Sequence, residues 1–248
     1  MYIAIIGDII NSRNINERYK AQEQLQSGLK YINQKFSTSI ASPFMITLGD
    51  EFQGLLHDAD LLMDMLDTLR FKLWNIVDIR FGIGVGEIHT AIDSHSSLGA
   101  DGPAYWSARS ALEFIHDNND YGNTKIRINF ADPMDDLRLA CLVNNTLRLC
   151  SLTEARWRAS QLTFVQNYVM LQGYTDRISQ KELAKQLNVS PQQVNQAIKL
   201  SGLYQYIDAK QGINYFVEFY LNADLNFVSR ASGKKVCMIS DGKRASYD

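Results

Sequence analysis

Cysteine is scarce in this chain. There are three in 248 residues, Cys141, Cys150 and Cys237, with no metal-ligand spacing among them. Three cannot all pair, so a disulfide framework is excluded, and the chain is expected to work in a reducing cytoplasm. Long apolar runs are missing too. No segment reaches the roughly 18 consecutive apolar residues that a membrane helix needs, so no membrane partner is expected. The opening MYIAIIGDIINSR is apolar for only a few residues and lacks both a basic leader and a small-residue cleavage site, so it does not read as a secretory signal. The four histidines, His57, His89, His95 and His116, show no ligand spacing of the His-x-x-x-His kind. There is no internal repeat and no low-complexity stretch.

The composition that is present is globular: 46% hydrophobic and 21% charged, enough for one good-sized core plus an appendage, or for two domains. The net charge of −2 is unevenly spread. Residues 1–150 carry 13 Lys and Arg against 19 Asp and Glu, and residues 151–248 carry 12 against 8. An acidic half joined to a mildly basic one suits the second half to a polyanion.

Periodicity predicts the elements. YIAIIGDI is a buried strand, and Tyr19, Leu25, Leu29, Ile32 and Phe36 recur at helical spacing. SPFMITL and EFQGLL form a hairpin about Gly49-Asp50. A helix follows from Asp58 to Trp74, with Leu61, Leu62, Met65, Leu66 and Leu69 inward and Asp60, Asp64 and Asp67 expected in solvent. In DIRFGIGVGEI, Arg80, Gly82, Gly84 and Gly86 alternate with apolar residues, thinning one strand face for the close approach of a backbone or ligand. Pro103 opens the next helix and KIRINF is a fifth strand. This β-α-β-β-α-β-α-β order predicts an α+β fold: a mainly antiparallel, ferredoxin-like sheet with helices on one face, over residues 1–132. A connector helix is expected over 133–150 and a small helical domain over 151–220. A strand is expected at GINYFVEFY, and a polar, basic tail over 221–248.

Two carboxylates stand out. Asp8 ends the first strand and Asp50 tips the hairpin, with Glu51 beside it. Brought together at one end of a sheet, they would suit Mg²⁺ or Mn²⁺, which prefer hard oxygen ligands and bridge to substrate phosphates. The alternative is a pair of ordinary turns.

IIGDII, ITLGDEF, RFGIGVGEI and GPAYWSARSALE, in that order, resemble the catalytic domain of class III nucleotide cyclases, and LGDEF resembles the hairpin of the diguanylate cyclases, over roughly residues 1–130. The resemblance implies that Asp8 and Asp50 match two metal ligands, that Glu51 is a third, and that Arg109 matches an arginine neutralising phosphate charge in the transition state. It also implies a dimer. The positions of the family's ribose-binding asparagine and base-reading lysine are Tyr105 and Ile46 here, which lack the needed donors. The expectation is therefore a degenerate, cyclase-like unit that dimerises and senses a ligand, a nucleotide with Mg²⁺ or Mn²⁺ among the candidates. As a whole, on GADGPAYWSAR, GDEF and the motif described next, the chain resembles the bacterial SatD family.

ISQKELAKQLNVSPQQVNQAIKLSGLY reads as a helix-turn-helix. Ser179 and Glu182 form a capping box, Asn188-Val189-Ser190 make the turn, and Ser190 caps a second helix opened by Pro191. Leu183, Ala184, Leu187, Val194, Ile198 and Leu200 face inward. Gln192, Gln193, Asn195, Gln196 and Lys199 face outward, where amides can read adenine in the major groove and lysine can meet phosphate. LTEARWRASQLTFVQNYVMLQGYT reads as one supporting helix. Together these features predict a cytoplasmic DNA-binding regulator that acts as a homodimer. The rival readings are a divalent-metal-dependent enzyme acting on a nucleoside triphosphate, by cyclisation or nucleotidyl transfer, and a protein-binding scaffold.

Overall fold

A computed structural model describes residues 1–12, 17–118, 124–131, 137–174 and 178–231. Five strands, β1 (Tyr2–Ile9), β2 (Ile40–Leu48), β3 (Glu51–Leu56), β4 (Ile79–Gly86) and β5 (Ile126–Phe130), form one sheet in the order β2-β3-β1-β4-β5. Among the described residues there are eight helices: α1 (Arg18–Lys35), α2 (Leu62–Leu73), α3 (Pro103–Asn118), α4 (Leu137–Ala155), α5 (Ala159–Gln172), α6 (Gln180–Leu187), α7 (Pro191–Ser201) and α8 (Leu203–Ala231). The α+β class and the order of the first eight elements follow the sequence pattern.

The sheet is mainly antiparallel, as expected, though mixed: β1 pairs antiparallel with β3 and β4, and β2 with β3, while β5 joins β4 in parallel. The expected placement of the helices needs correction. Helices cover both faces rather than one. Ile3 and Ile5 of β1 point to the face that packs with α1 and α2, in a core with Leu25, Leu29, Leu62 and Leu66. Ala4 and Ile6 point to the opposite face, where Ala104, Tyr105, Ala108 and Leu112 of α3 close over them. The physical reason is the glycine alternation. A Cβ at Gly82 would collide with the Ala108 carbonyl and one at Gly84 with the Ala104 carbonyl, so the bare face of β4 is filled by the backbone of α3.

Both edges of the sheet are closed by an asparagine amide. On β2, Phe44 N donates to Asn33 Oδ1 at 2.8 Å and Asn33 Nδ2 donates to Phe44 O at 2.9 Å. On β5, Ile128 N donates to Asn144 Oδ1 and Asn144 Nδ2 donates to Ile128 O, both at 2.9 Å. Each amide imitates one residue of a further strand, which leaves less of the edge free to template another chain.

The helices after β5 pack back onto the sheet layer, and one apolar core runs from Ile3 and Leu66 to Leu183, Val194, Tyr206 and Val217. Helix α8 supplies the missing cap of α2: Ala59 N donates to Glu218 Oε2 at 2.8 Å and Met63 N to Asn214 Oδ1 at 3.1 Å. Met63 N is one of the N–H groups that the start of a helix leaves without a partner of its own, and Ala59 lies in the segment that leads into it.

Asp64 and Asp67, expected in solvent, are buried, whereas Asp60 is exposed. Their helix face is covered by α4, α5 and α8, which a periodicity reading of α2 alone cannot see. Residues 212–220, expected as a strand, lie within α8, and that helix continues through Leu221 to Ala231, where a polar tail was expected to begin. Aromatic and β-branched content favoured a strand, but tertiary packing of a helical stripe prevails. The stretch 152–175, expected as one helix, is divided between the end of α4 and α5. The expected domain boundary at Asp132 and the tail residues 232–248 lie outside the described residues.

Candidate functional site

Side chains alternate along a strand, so Asp8 shares the α3 face with Ala4 and Ile6. Register places Glu51 of β3 on one side of Asp8 and Arg80 of β4 on the other, giving one row across three strands. Arg80 grips Asp8 with two parallel hydrogen bonds, Nε to Oδ1 at 2.6 Å and Nη2 to Oδ2 at 2.9 Å. Arg109 descends from α3 onto Glu51 in the same way, with Nη2 donating to Oε1 at 2.8 Å and Nη1 to Oε2. The hydrogen bonds from Arg109 hold the Glu51 carboxyl below its usual range against the opposing effect of burial, and the Asp50 charge pushes it back up. Glu51 in turn raises the Arg109 guanidinium, and the charges of Glu113 and Asp8 add to this. Both pairs are partly exposed, so their weight lies in geometry more than in stability.

Asp50 occupies the turn of the hairpin. Gly49 takes φ +65°, a conformation that glycine adopts without steric cost, and Ile9 N donates to Asp50 O at 3.2 Å, tying the hairpin tip to the end of β1. Asp50 lines a small cleft with Ile9, Ser12, Arg18 and Tyr19, beside the start of α1.

The four residues singled out from sequence, Asp8, Asp50, Glu51 and Arg109, thus gather at one end of the sheet. Arg80 is the partner of Asp8 that the sequence reading did not name. Its signal was its alternation with Gly82, Gly84 and Gly86, which put it on the same face. As arranged, these groups do not fit a divalent cation. Two bidentate arginines take up the oxygens of Asp8 and Glu51 that a metal would need. Among the described residues no group of three or more His, Cys, Asp or Glu is placed to hold a metal. Tyr105 is buried among Ala4, Ile6 and Leu55, with its hydroxyl bonded to nothing, and burial raises its pKa.

The second locus is α7. Ser190 Oγ accepts from Gln193 N at 3.2 Å and Ser190 N donates to Gln193 Oε1 at 2.8 Å, a reciprocal capping box with Pro191 in the first turn. Ser179 caps α6 by accepting from Glu182 N at 3.2 Å, and Asn188 ends α6 in the left-handed conformation at φ +54°. Val194 and Ile198 are buried. Gln192, Gln193, Gln196 and Lys199 are exposed and Asn195 is half-buried. The cap engages the Gln193 carbonyl oxygen, leaving its NH₂ for other partners. Leu200, expected inward, is 63% exposed. The end of α7 is held instead by polar contacts: Trp157 Nε1 donates to Ser201 O at 2.8 Å and Gln161 Nε2 to Leu200 O at 2.7 Å.

The family model of the SatD family matches residues 2–216. The chain belongs to the SatD family. The SatD match runs from β1 into α8 and so takes in both the acid–arginine row and the α6–α7 pair. No significant match is found among curated proteins or solved structures. No helix among the described residues is long and apolar enough to cross a membrane.

Proposed function

We propose that this SatD-family chain is a DNA-binding regulatory protein, with α6 and α7 as a helix-turn-helix and the N-terminal sheet as a degenerate cyclase-like unit that dimerises. The observation that carries this reading is the outward face of α7. Gln192, Gln196 and Lys199 stand in solvent on a helix whose opposite face is pinned by Val194, Ile198, Trp157 and Gln161. Amides in such a row can pair with adenine edges in the major groove, and Lys199, with Lys181 and Lys185 of α6 also exposed, can meet phosphates. One helix reads few base pairs, and a dimer would present two for paired half-sites.

The test is binding of the full chain to genomic fragments, its own promoter included, followed by fluorescence anisotropy at several salt concentrations. Removing the amides in Gln192→Ala with Gln196→Ala is expected to weaken the specific site by about 1–3 kcal/mol, roughly 10- to 100-fold, with little change on random DNA. Lys199→Ala is expected to weaken all sequences alike and to lower the salt slope by about 1. Absence of salt-sensitive binding to every fragment at micromolar protein would sink the reading.

The convergence of Asp8, Asp50, Glu51 and Arg109 supports a second reading, a metal-dependent enzyme acting on a nucleoside triphosphate. The arginine pairing counts against it, because Arg109 neutralises an oxygen pair before any cation arrives. Freeing Glu51 in Arg109→Met is therefore expected to create a Mn²⁺-dependent rise in melting temperature that the parent lacks. Conversion of a nucleoside triphosphate by the parent with Mn²⁺, lost in Asp50→Asn, would reverse the ranking.

A further inference from the structure

A cavity lies on the other flank of α3 from the acid–arginine row. It is a trough of about 840 Å³ between α3 and α4, floored by β5. That volume falls within the roughly 300–1,000 Å³ of small-molecule sites. Its walls come from Trp106, Ser107, Ser110 and Phe114 on α3, and from Cys141, Asn145 and Arg148 on α4, with Arg127 and Asn129 on the floor.

The charge of this lining is unusual for its surroundings. The first 150 residues carry more acid than base, yet among the described residues that line the trough there are two arginines and no aspartate or glutamate. Arg127 sits 3.7 Å over the ring of Phe114, and its buried Nε–H has no hydrogen-bond acceptor. Arg127 as a whole is only half-buried, so an anion in the trough can offset the charge of a guanidinium that burial leaves poorly solvated. Burial also lowers the Arg127 pKa. The aromatic rim is held in place. Trp106 Nε1 donates to Asp101 Oδ1 at 2.7 Å, and His89 packs edge-on to the indole at 5.8 Å between ring centroids. The floor is equally fixed, because Asn144 saturates the outer edge of β5 at Ile128.

We propose that this trough is a binding site for a small organic anion carrying a planar ring, its carboxylate or phosphate meeting Arg127 and its ring lying along Trp106 and Phe114. The site goes beyond the DNA-binding reading and stands without it, since it shares no residue with α7. Nor does it use the Asp8 and Glu51 row.

Calorimetric titration of the full chain, without DNA, with benzoate, adenosine monophosphate and inorganic phosphate separates the sources. Benzoate joins a ring to a carboxylate, the nucleotide joins a ring to a phosphate, and inorganic phosphate is the anion alone. At least one ring-bearing anion is expected to bind about tenfold or more tightly than inorganic phosphate. Arg127→Met is expected to weaken that binding about tenfold or more, the scale of a lost charge-assisted hydrogen bond. Ser110→Trp, at an exposed position on the rim, is expected to fill the trough and abolish binding while the melting curve stays cooperative. This second variant decides the matter should Arg127→Met fail to fold. The proposal is overturned if neither ring-bearing anion binds the parent, if inorganic phosphate binds as tightly as both, or if the folded variants bind as the parent does.

Discussion

Replacing Lys210 with Met is expected to destabilise the protein by about 3–5 kcal/mol, the cost of leaving a buried charge without its partner. Lys210 lies at the centre of a polar network that joins α2 of the sheet layer to α4 and α8, and it is fully buried. Its Nζ donates to Asp67 Oδ1 at 2.6 Å and to the Tyr206 hydroxyl at 2.5 Å, and lies 3.4 Å from Glu154 Oε1. Arg70 spans Glu154 with Nη1 to Oε1 at 3.0 Å and Nη2 to Oε2 at 2.5 Å, and reaches Asp67 at 3.3 Å. Two cations and two carboxylates balance, and the hydroxyls of Tyr174 and Tyr206 supply further donors to Asp67. Methionine keeps most of the volume of lysine but leaves two carboxylates facing one arginine. At roughly 2–4 °C per kcal/mol for a chain of this size, the melting temperature should fall by about 10 °C. Urea unfolding gives the free energy directly, and a loss below about 1 kcal/mol would show that the network is not the clasp between the layers.

The same network sets an acid limit. Burial pushes the Glu154 carboxyl up, but Arg70 and then Lys210 more than reverse this and bring it down to about 2. A carboxylate depressed in the folded state contributes stability that is complete above its ordinary value near 4.5 and is lost as pH falls from there to about 2. Asp64 acts in the opposite sense. Burial raises it, so its contribution is greatest when it is protonated and declines as pH rises through its folded value. Glu154→Gln is therefore expected to be less stable than the parent at neutral pH and to show a flatter acid limb between about pH 4.5 and pH 2.

Strands and hairpin were legible in the sequence because each carries its own local signal: an apolar run in β1, Gly49-Asp50 between two such runs, and alternation in β4. The caps of α6 and α7 were legible for the same reason, since Ser179, Ser190 and Pro191 act within three residues of their own position. What stayed hidden depends on distant partners. Asp64 and Asp67 fall off the apolar stripe of α2 and look solvated until α4, α5 and α8 arrive with Arg70's partner Glu154, with Tyr174 and with Lys210. Residues 212–220 read as a strand from composition alone, and only packing against the sheet layer reveals the helical stripe of Ile213, Val217 and Leu221. In the candidate site, the strand end and the hairpin pointed to Asp8, Asp50 and Glu51, and the cyclase resemblance pointed to Arg109. The pairing that changes their chemistry, Arg80 on Asp8 and Arg109 on Glu51, is a matter of strand register and helix placement, which motif spacing does not encode. The trough between α3 and α4 was invisible for a related reason: its two arginines are 21 residues apart on separate elements and resemble no motif.

Gly84→Val is expected to cost about 3 kcal/mol, at the upper end for overpacking, because the obstacle is backbone. The added Cβ would meet the carbonyl of Ala104 and the amide of Ala108, and neither can swing aside as a side chain would. Relief requires α3 to rise from the sheet. That helix carries Arg109 toward Glu51 on one flank and Trp106, Ser110 and Phe114 along the trough on the other, so one substitution should disturb both loci together. Loss of melting temperature should therefore be accompanied by a change in tryptophan emission from Trp106 and by weaker binding of any anion that occupies the trough. The contrast is Gly212→Ala within α8. A Cβ there meets nothing within 4 Å, and alanine is the better helix former, so stability should rise by roughly 0.5–1 kcal/mol. If Gly84→Val melts within about 2 °C of the parent, the close approach of α3 to β4 is wrong, and with it the placement of Arg109 over Glu51.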